Sequence, residues 1–218
     1  MRSGDVALFD LDGTLLDCNS GALWVTTEWR SGRIRSLDAA WAAWWLGRYS
    51  LGLGAGLDQV FETAVARLSG SKEAELDTRT RAWFTARVQS RLRPGGERAL
   101  AWHRGRGDRL VLATTSSLYA AQAAKEAFGL DDVICTRFEV VDGVFTGRIS
   151  QPALGDAKAE RVFEWAAREA IALARCTFYT DSATDLRLLA AVGHPVAVHP
   201  DRLLRREALR RGWPVVTW

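Results

Sequence analysis

The sequence predicts an α/β fold: a doubly wound parallel sheet with an all-helical domain inserted after its first strand. Three observations point to it. Short apolar runs alternate with helical patterns over most of the chain. The stretch from about 20 to about 91 contains no convincing strand. Polar clusters follow the ends of the apolar runs, where sheets of this kind bind their ligands.

The first strand is Val6–Phe9, stopped by the charged, glycine-containing turn Asp10-Leu11-Asp12-Gly13-Thr14. The helical stretch follows, with Leu37, Ala40, Trp41, Trp44 and Trp45 at spacings of three and four. Pro94-Gly95-Gly96 reads as a break, after which come a short helix to His103 and a strand over 109–113. A helix over about 120–128 is stopped by Gly129, and a strand over 133–136 follows. Runs over 138–141 and 144–149 flank Asp142-Gly143, the turn dipeptide of a two-residue hairpin. Then come a helix over about 158–172, the strand Cys176–Thr180, a helix over about 185–192, a strand over 196–198, a basic helix, and Val215-Val216. This order predicts a core domain of residues 1–16 and 92–218, and a helical cap of residues 17–91.

Composition narrows the function classes. With 218 residues, 48% of them hydrophobic, the chain can bury one core of ordinary size or a core domain with a smaller insertion, a composition that speaks against disorder. The net charge of +3 is spread among interleaved acids, a pattern that predicts no nucleic-acid partner. Cys18, Cys135 and Cys176 are far apart and form no CxxC pair, so no disulfide framework or zinc site is expected, and a reducing, cytoplasmic location fits. The first ten residues reach acidic groups too soon for a signal peptide, and no later run has eighteen apolar residues.

Asp10 and Asp12, two apart at a strand end, can point to one side. Asp181 and Asp185 follow the strand Cys176–Thr180 at a separation of four, which shares a face if the helix has begun. Together these acids make a candidate cation cage, and an oxygen-only set without His or Cys selects Mg2+ over zinc. Thr115 and Ser116 follow the strand over 109–113 and offer hydroxyls and backbone amides to a phosphate. Lys158 is one of three lysines beside twenty-six arginines, and its compact ammonium suits a crowded anion site.

On these residues the chain resembles the haloacid dehalogenase superfamily of phosphatases. Phe9-Asp10-Leu11-Asp12-Gly13-Thr14-Leu15 is similar to its first motif, and Thr115, Lys158 and the Asp181 to Asp185 pair to its second, third and fourth, in the same order. The helical insertion and the Asp142-Gly143 hairpin resemble the phosphoserine-phosphatase-like branch. So does the tail from Val192-Gly193-His194-Pro195 to Arg211-Gly212-Trp213. The resemblance implies that Asp10 attacks phosphorus, forming an aspartyl-phosphate, and that Asp12 serves as acid and then base. It implies Mg2+ held by the Asp10 carboxylate, the Asp12 main-chain carbonyl and Asp181, with Asp185 in support. Gly13, Thr115, Ser116 and Lys158 would bind the substrate, a small phosphate ester. Two departures stand out: Thr180 replaces the common glycine before Asp181, and Asn19 stands where phosphoserine phosphatases carry a glutamate that recognises an ammonium group.

Two other functions fit the same residues: a phosphotransferase using the same intermediate, and a membrane-associated binding module acting through the Trp-rich cap. Other features have simpler readings. Gly52, Gly54 and Gly56 follow no strand and read as a cap turn, while His103, His194 and His199 lack ligand spacing. The basic run over 202–211 reads as a solvated helix face, and most cap tryptophans as core.

Overall fold

The computed structural model describes residues 5–37, 40 and 57–218. Trp41, Trp44, Trp45 and the glycines 52, 54 and 56 lie outside the described residues. Seven strands form one sheet: β1 (Val6–Phe9), β2 (Arg109–Ser117), β3 (Asp132–Val141), β4 (Val144–Gln151), β5 (Cys176–Thr180), β6 (His194–Val198) and β7 (Val215–Val216). Their spatial order is β4-β3-β2-β1-β5-β6-β7, and every pair is parallel except β3 with β4. β1 is central, with Phe9 opposite Leu112 of β2 and Tyr179 of β5.

Both faces of β1 are covered, which is why it reads as an unbroken apolar run. Strand alternation sends Ala7 and Phe9 to one face, against Leu100, Ala124 and Phe128, and sends Val6 and Leu8 to the other, against Val162, Trp165 and Ala208. The first face is packed by α4 (Pro94–Gly105) and α5 (Leu118–Phe128); the second by α6 (Asp156–Arg168), the short α7 (Leu186–Leu189) and α8 (Arg202–Arg211).

The insertion supplies α1 (Ser20–Arg30), α2 (Leu57–Ala66) and α3 (Glu73–Arg87). Its two ends run side by side: Leu16 and Leu92 form an antiparallel bridge, the Asp17 N–H donates to the Arg91 carbonyl at 3.1 Å, and the Arg93 N–H donates to that of Leu15 at 2.8 Å. The last helix is fused to the core by packing, because Trp83, Phe84 and Val88 lie in the same apolar cluster as Phe9 and Leu112. Trp83 is buried and the partly buried Trp24 packs edge-on to it, whereas Trp29 is 45% exposed. The insertion also leans on the hairpin: Gly70 donates to the Phe145 carbonyl, and Phe145 donates to that of Ser71.

At the hairpin turn Asp142 (φ 51°) and Gly143 (φ 75°) both occupy the left-handed region, as a two-residue turn of this kind requires. The runs expected over 133–136 and 138–141 are one strand, whose partner changes from β2 to β4 near Arg137. The helix expected over 185–192 shrinks to α7, and α6 ends at Arg168, shortly before Ala170 at φ 54°.

Candidate active site

The sheet order places the end of β1 between the ends of β2 and β5, so residues at these three strand ends converge; β2 runs on to Ser117, which puts Thr115 and Ser116 inside the strand rather than after it. The Asp10 N–H donates to the Tyr179 carbonyl at 2.9 Å, and Asp10 Oδ1 accepts the Leu11 N–H at 2.8 Å. The first turn of α6 brings in Lys158, which is 1% exposed. Its Nζ lies 3.3 Å from Asp10 Oδ1 and 3.0 Å from Asp185 Oδ2.

Asp181 leaves β5 and accepts the Thr14 hydroxyl at 3.1 Å. Gly13 (φ 75°) lies against it: a Cβ there would sit 2.2 Å from Asp181 Oδ2. The loop after Asp181 is pinned by Asp201, whose N–H donates to the Asp181 carbonyl at 2.8 Å and whose Oδ2 accepts the Ala183 N–H at 2.7 Å. Asp185 precedes α7, so it meets the site through a turn rather than along the helix face the spacing suggested. Thr180 does not point at Asp181. Its buried hydroxyl donates to Asp185 Oδ2 at 2.6 Å.

Asp12 turns elsewhere. Its Oδ1 accepts the Ser20 N–H at 2.5 Å, and its Oδ2 accepts the hydroxyls of Ser20 at 3.0 Å and Ser116 at 3.2 Å. The Thr115 carbonyl accepts the Thr136 hydroxyl at 2.9 Å. Thr115 also lines a cavity of about 610 Å³ whose other walls include Phe61 and Glu62 of α2, Ile149, Asp156 and Thr184. Asn19 is the N-cap of α1, its side chain accepting the Ala22 N–H at 2.9 Å.

Burial dominates the electrostatics. It pushes the Asp10 carboxyl up to about 8, against the opposing pull of Lys158, and Asp181 up to about 7, against the Thr14 hydrogen bond. Burial also raises Asp12, opposed by its bonds from Ser20 and Ser116. Asp10 and Asp185 thus share one buried ammonium, Asp181 stands close enough to feel both carboxyls, and Asp185 Oδ1 is buried without a hydrogen-bond partner. Surplus carboxylate and an orphaned carboxylate oxygen suit an oxygen-ligated divalent cation.

Among the described residues no three His, Cys, Asp or Glu side chains form a metal cage by themselves. The four-acid cage expected from spacing is therefore not what the structure draws, because Asp12 is committed to two serines and Asp185 to Lys158 and Thr180. Two carboxylates, a main-chain carbonyl and water still fit Mg2+, which keeps much of its hydration. Sequence reading missed Thr14, Ser20 and Asp201. Thr14 was visible only as part of the turn from Asp10, Ser20 as the first residue of a helix, and Asp201 as an acid ahead of the basic helix; none of the three spacings shows the partner each one holds.

Residues 7–190 match the family model of haloacid dehalogenase-like hydrolases. The "Inhibition of morphological differentiation protein" of Streptomyces azureus is 47% identical over 115 residues, covering 52% of this chain and 42% of that protein. The chain thus spans less than half of that relative's length. The histidinol-phosphatase of Neisseria meningitidis is 28% identical over 98% of this chain and 99% of its own. Among solved structures, a Bordetella pertussis protein of unknown function superimposes with a TM-score of 0.87 at 31% identity, covering 99% of both chains. A phosphoserine phosphatase carrying a phospho-aspartyl intermediate analogue gives 0.65 at 20% identity, over 96% of this chain and 99% of that one, a likeness of fold.

Proposed function

The chain belongs to the haloacid dehalogenase-like hydrolase family, and on that premise we propose that it is a Mg2+-dependent phosphomonoesterase working through an aspartyl-phosphate on Asp10. The observation that carries this reading is Asp10 itself, at the end of the central strand with the Lys158 ammonium 3.3 Å away.

An Asp10 carboxylate oxygen attacks phosphorus, and the ester P–O bond breaks while Asp12 gives its proton to the departing alcohol. Water then attacks the phosphoryl group, Asp12 takes its proton, and the bond to Asp10 breaks to release inorganic phosphate. Lys158, held by Asp185, and the Thr115 hydroxyl stabilise the phosphoryl oxygens, and Gly13 leaves room for Asp181. The Asp10 carboxylate, the Asp12 main-chain carbonyl and Asp181 would hold Mg2+, with Asp185 supporting it; the ion supplies positive charge against the transferring group.

The cavity beside Thr115 would take the leaving group, a small alcohol, with the helical cap of residues 17–91 contributing Phe61 and Glu62. Asn19 spends its side chain on capping α1 and offers no carboxylate to an ammonium group, which argues against phosphoserine as substrate. Release of phosphate from p-nitrophenyl phosphate, with Mg2+ and with a chelator, tests the proposal. Wild-type turnover should require Mg2+ and vanish in Asp10→Asn; full activity in that variant would overturn it.

A further inference from the structure

Asp12 is held from two directions. Ser20, at the start of α1, donates through both its N–H and its hydroxyl, and Ser116, near the end of β2, donates to Oδ2 from 104 residues away in sequence. Ser116 is itself anchored: its N–H donates to the Thr114 hydroxyl at 3.1 Å, and Thr114 is 1% exposed. We propose that Ser116 is a positioning residue that fixes the Asp12 carboxyl for proton transfer to the leaving oxygen. The inference rests on Asp12 being the acid of the reaction proposed above.

The donor types give the two oxygens different duties. A backbone N–H only donates, so Oδ1, facing the Ser20 N–H at 2.5 Å, stays an acceptor throughout. Oδ2 is held by two hydroxyls, and a hydroxyl turns from donor to acceptor by rotating one hydrogen. Oδ2 is therefore the oxygen that can carry the proton without stranding a neighbour. Ser20 holds both oxygens, but only from the start of α1; the Ser116 hydroxyl ties the same carboxyl to β2, so its position is referred to the sheet that carries Asp10 as well as to the insertion. Proton transfer needs the acid within hydrogen-bond reach of the departing oxygen, so this restraint acts on the acid step rather than on phosphate binding. A Ser116 hydroxyl serving as a phosphate ligand would instead affect every substrate alike.

The test compares kcat/KM, in the presence of Mg2+, across aryl phosphates of one ring shape from phenyl to p-nitrophenyl phosphate. Nitrophenolate departs without a proton, and phenolate benefits from one. Ser116→Ala should lose about ten-fold on phenyl phosphate and less than about two-fold on p-nitrophenyl phosphate. Its rates should therefore depend more steeply on leaving-group acidity than those of the wild type. Ser116→Gly, a second variant without the hydroxyl, should show the same steepening, and Ser116→Thr should restore the wild-type dependence. The Ser116 hydroxyl, expected from the resemblance to bind substrate, is instead spent on Asp12, so inhibition by inorganic phosphate should stay unchanged in all three. An equal loss across the series, or no loss at all, would overturn the proposal. Failure of the underlying reading is seen separately, as wild-type inactivity or as Asp12→Asn retaining full turnover on phenyl phosphate.

Discussion

The ammonium of Lys158 bridges two carboxylates, 3.3 Å from Asp10 Oδ1 and 3.0 Å from Asp185 Oδ2, with almost no exposure to solvent. It is the shared counter-ion of the two, and removing it leaves the buried Asp185 carboxyl beside Asp10 without its ion-pair partner. Lys158→Met should lower stability by about 3–5 kcal/mol and reduce turnover by at least about 100-fold. Thermal melting with and without Mg2+ checks the first effect, and added Mg2+ should recover part of the melting temperature without restoring activity.

Stability and metal affinity should both depend on pH, in opposite senses. Asp10 and Asp181 titrate at about 8 and 7 in the folded protein, against 3.8 for an ordinary aspartate. Between those values the folded state holds protons that the unfolded state has released. Stability of the metal-free protein is therefore greatest at the acidic end and falls as pH rises from about 4 to about 8. Mg2+ must displace these protons, so its apparent affinity should climb over the same range and level off near 8. Denaturant melts of metal-free protein and calorimetry in buffers of different ionisation enthalpy measure the two trends.

Gly13→Ala asks an alanine to adopt φ 75° and places its Cβ 2.2 Å from Asp181 Oδ2. The backbone alone should cost about 1–2 kcal/mol, and Asp181 must also move. Mg2+ affinity, read from the concentration that half-saturates turnover, should weaken more than the melting temperature falls.

Thr180 contributes through its hydroxyl. Thr180→Val keeps the shape but removes the 2.6 Å bond to Asp185, and should destabilise the fold by about 1–3 kcal/mol. Thr180→Ser keeps the bond and should stay near wild type. Equilibrium denaturation of the two variants compares them directly.

How much of this was legible in the sequence depended on whether the deciding contact was local. Val6–Phe9 and Cys176–Thr180 were read to the residue, because buried parallel strands are short apolar runs with polar residues at their ends. Asp142-Gly143 announced its own turn. β3 was divided in two because its change of partner at Arg137 is a property of the sheet rather than of the segment. In the site, Asp10, Lys158, Asp181 and Asp185 were nameable from their order, and the structure brings them together. The pairing of Asp12 with Ser116 was not readable, since no spacing rule links residues 104 apart. Thr180 was visible as a departure, but only the fold shows its hydroxyl turned to Asp185. The wedging of Trp83 and Phe84 into the core likewise depends on how α3 packs.

In the proposed reaction the phosphoryl group passes through Asp10. Protein turning over substrate with Mg2+ can be quenched in acid and reduced with borohydride, which converts an aspartyl-phosphate to homoserine, and then mapped by peptide mass spectrometry. Homoserine at position 10, absent without substrate, is the predicted result. Turnover with the modification at another acidic residue, or with none anywhere, would contradict it.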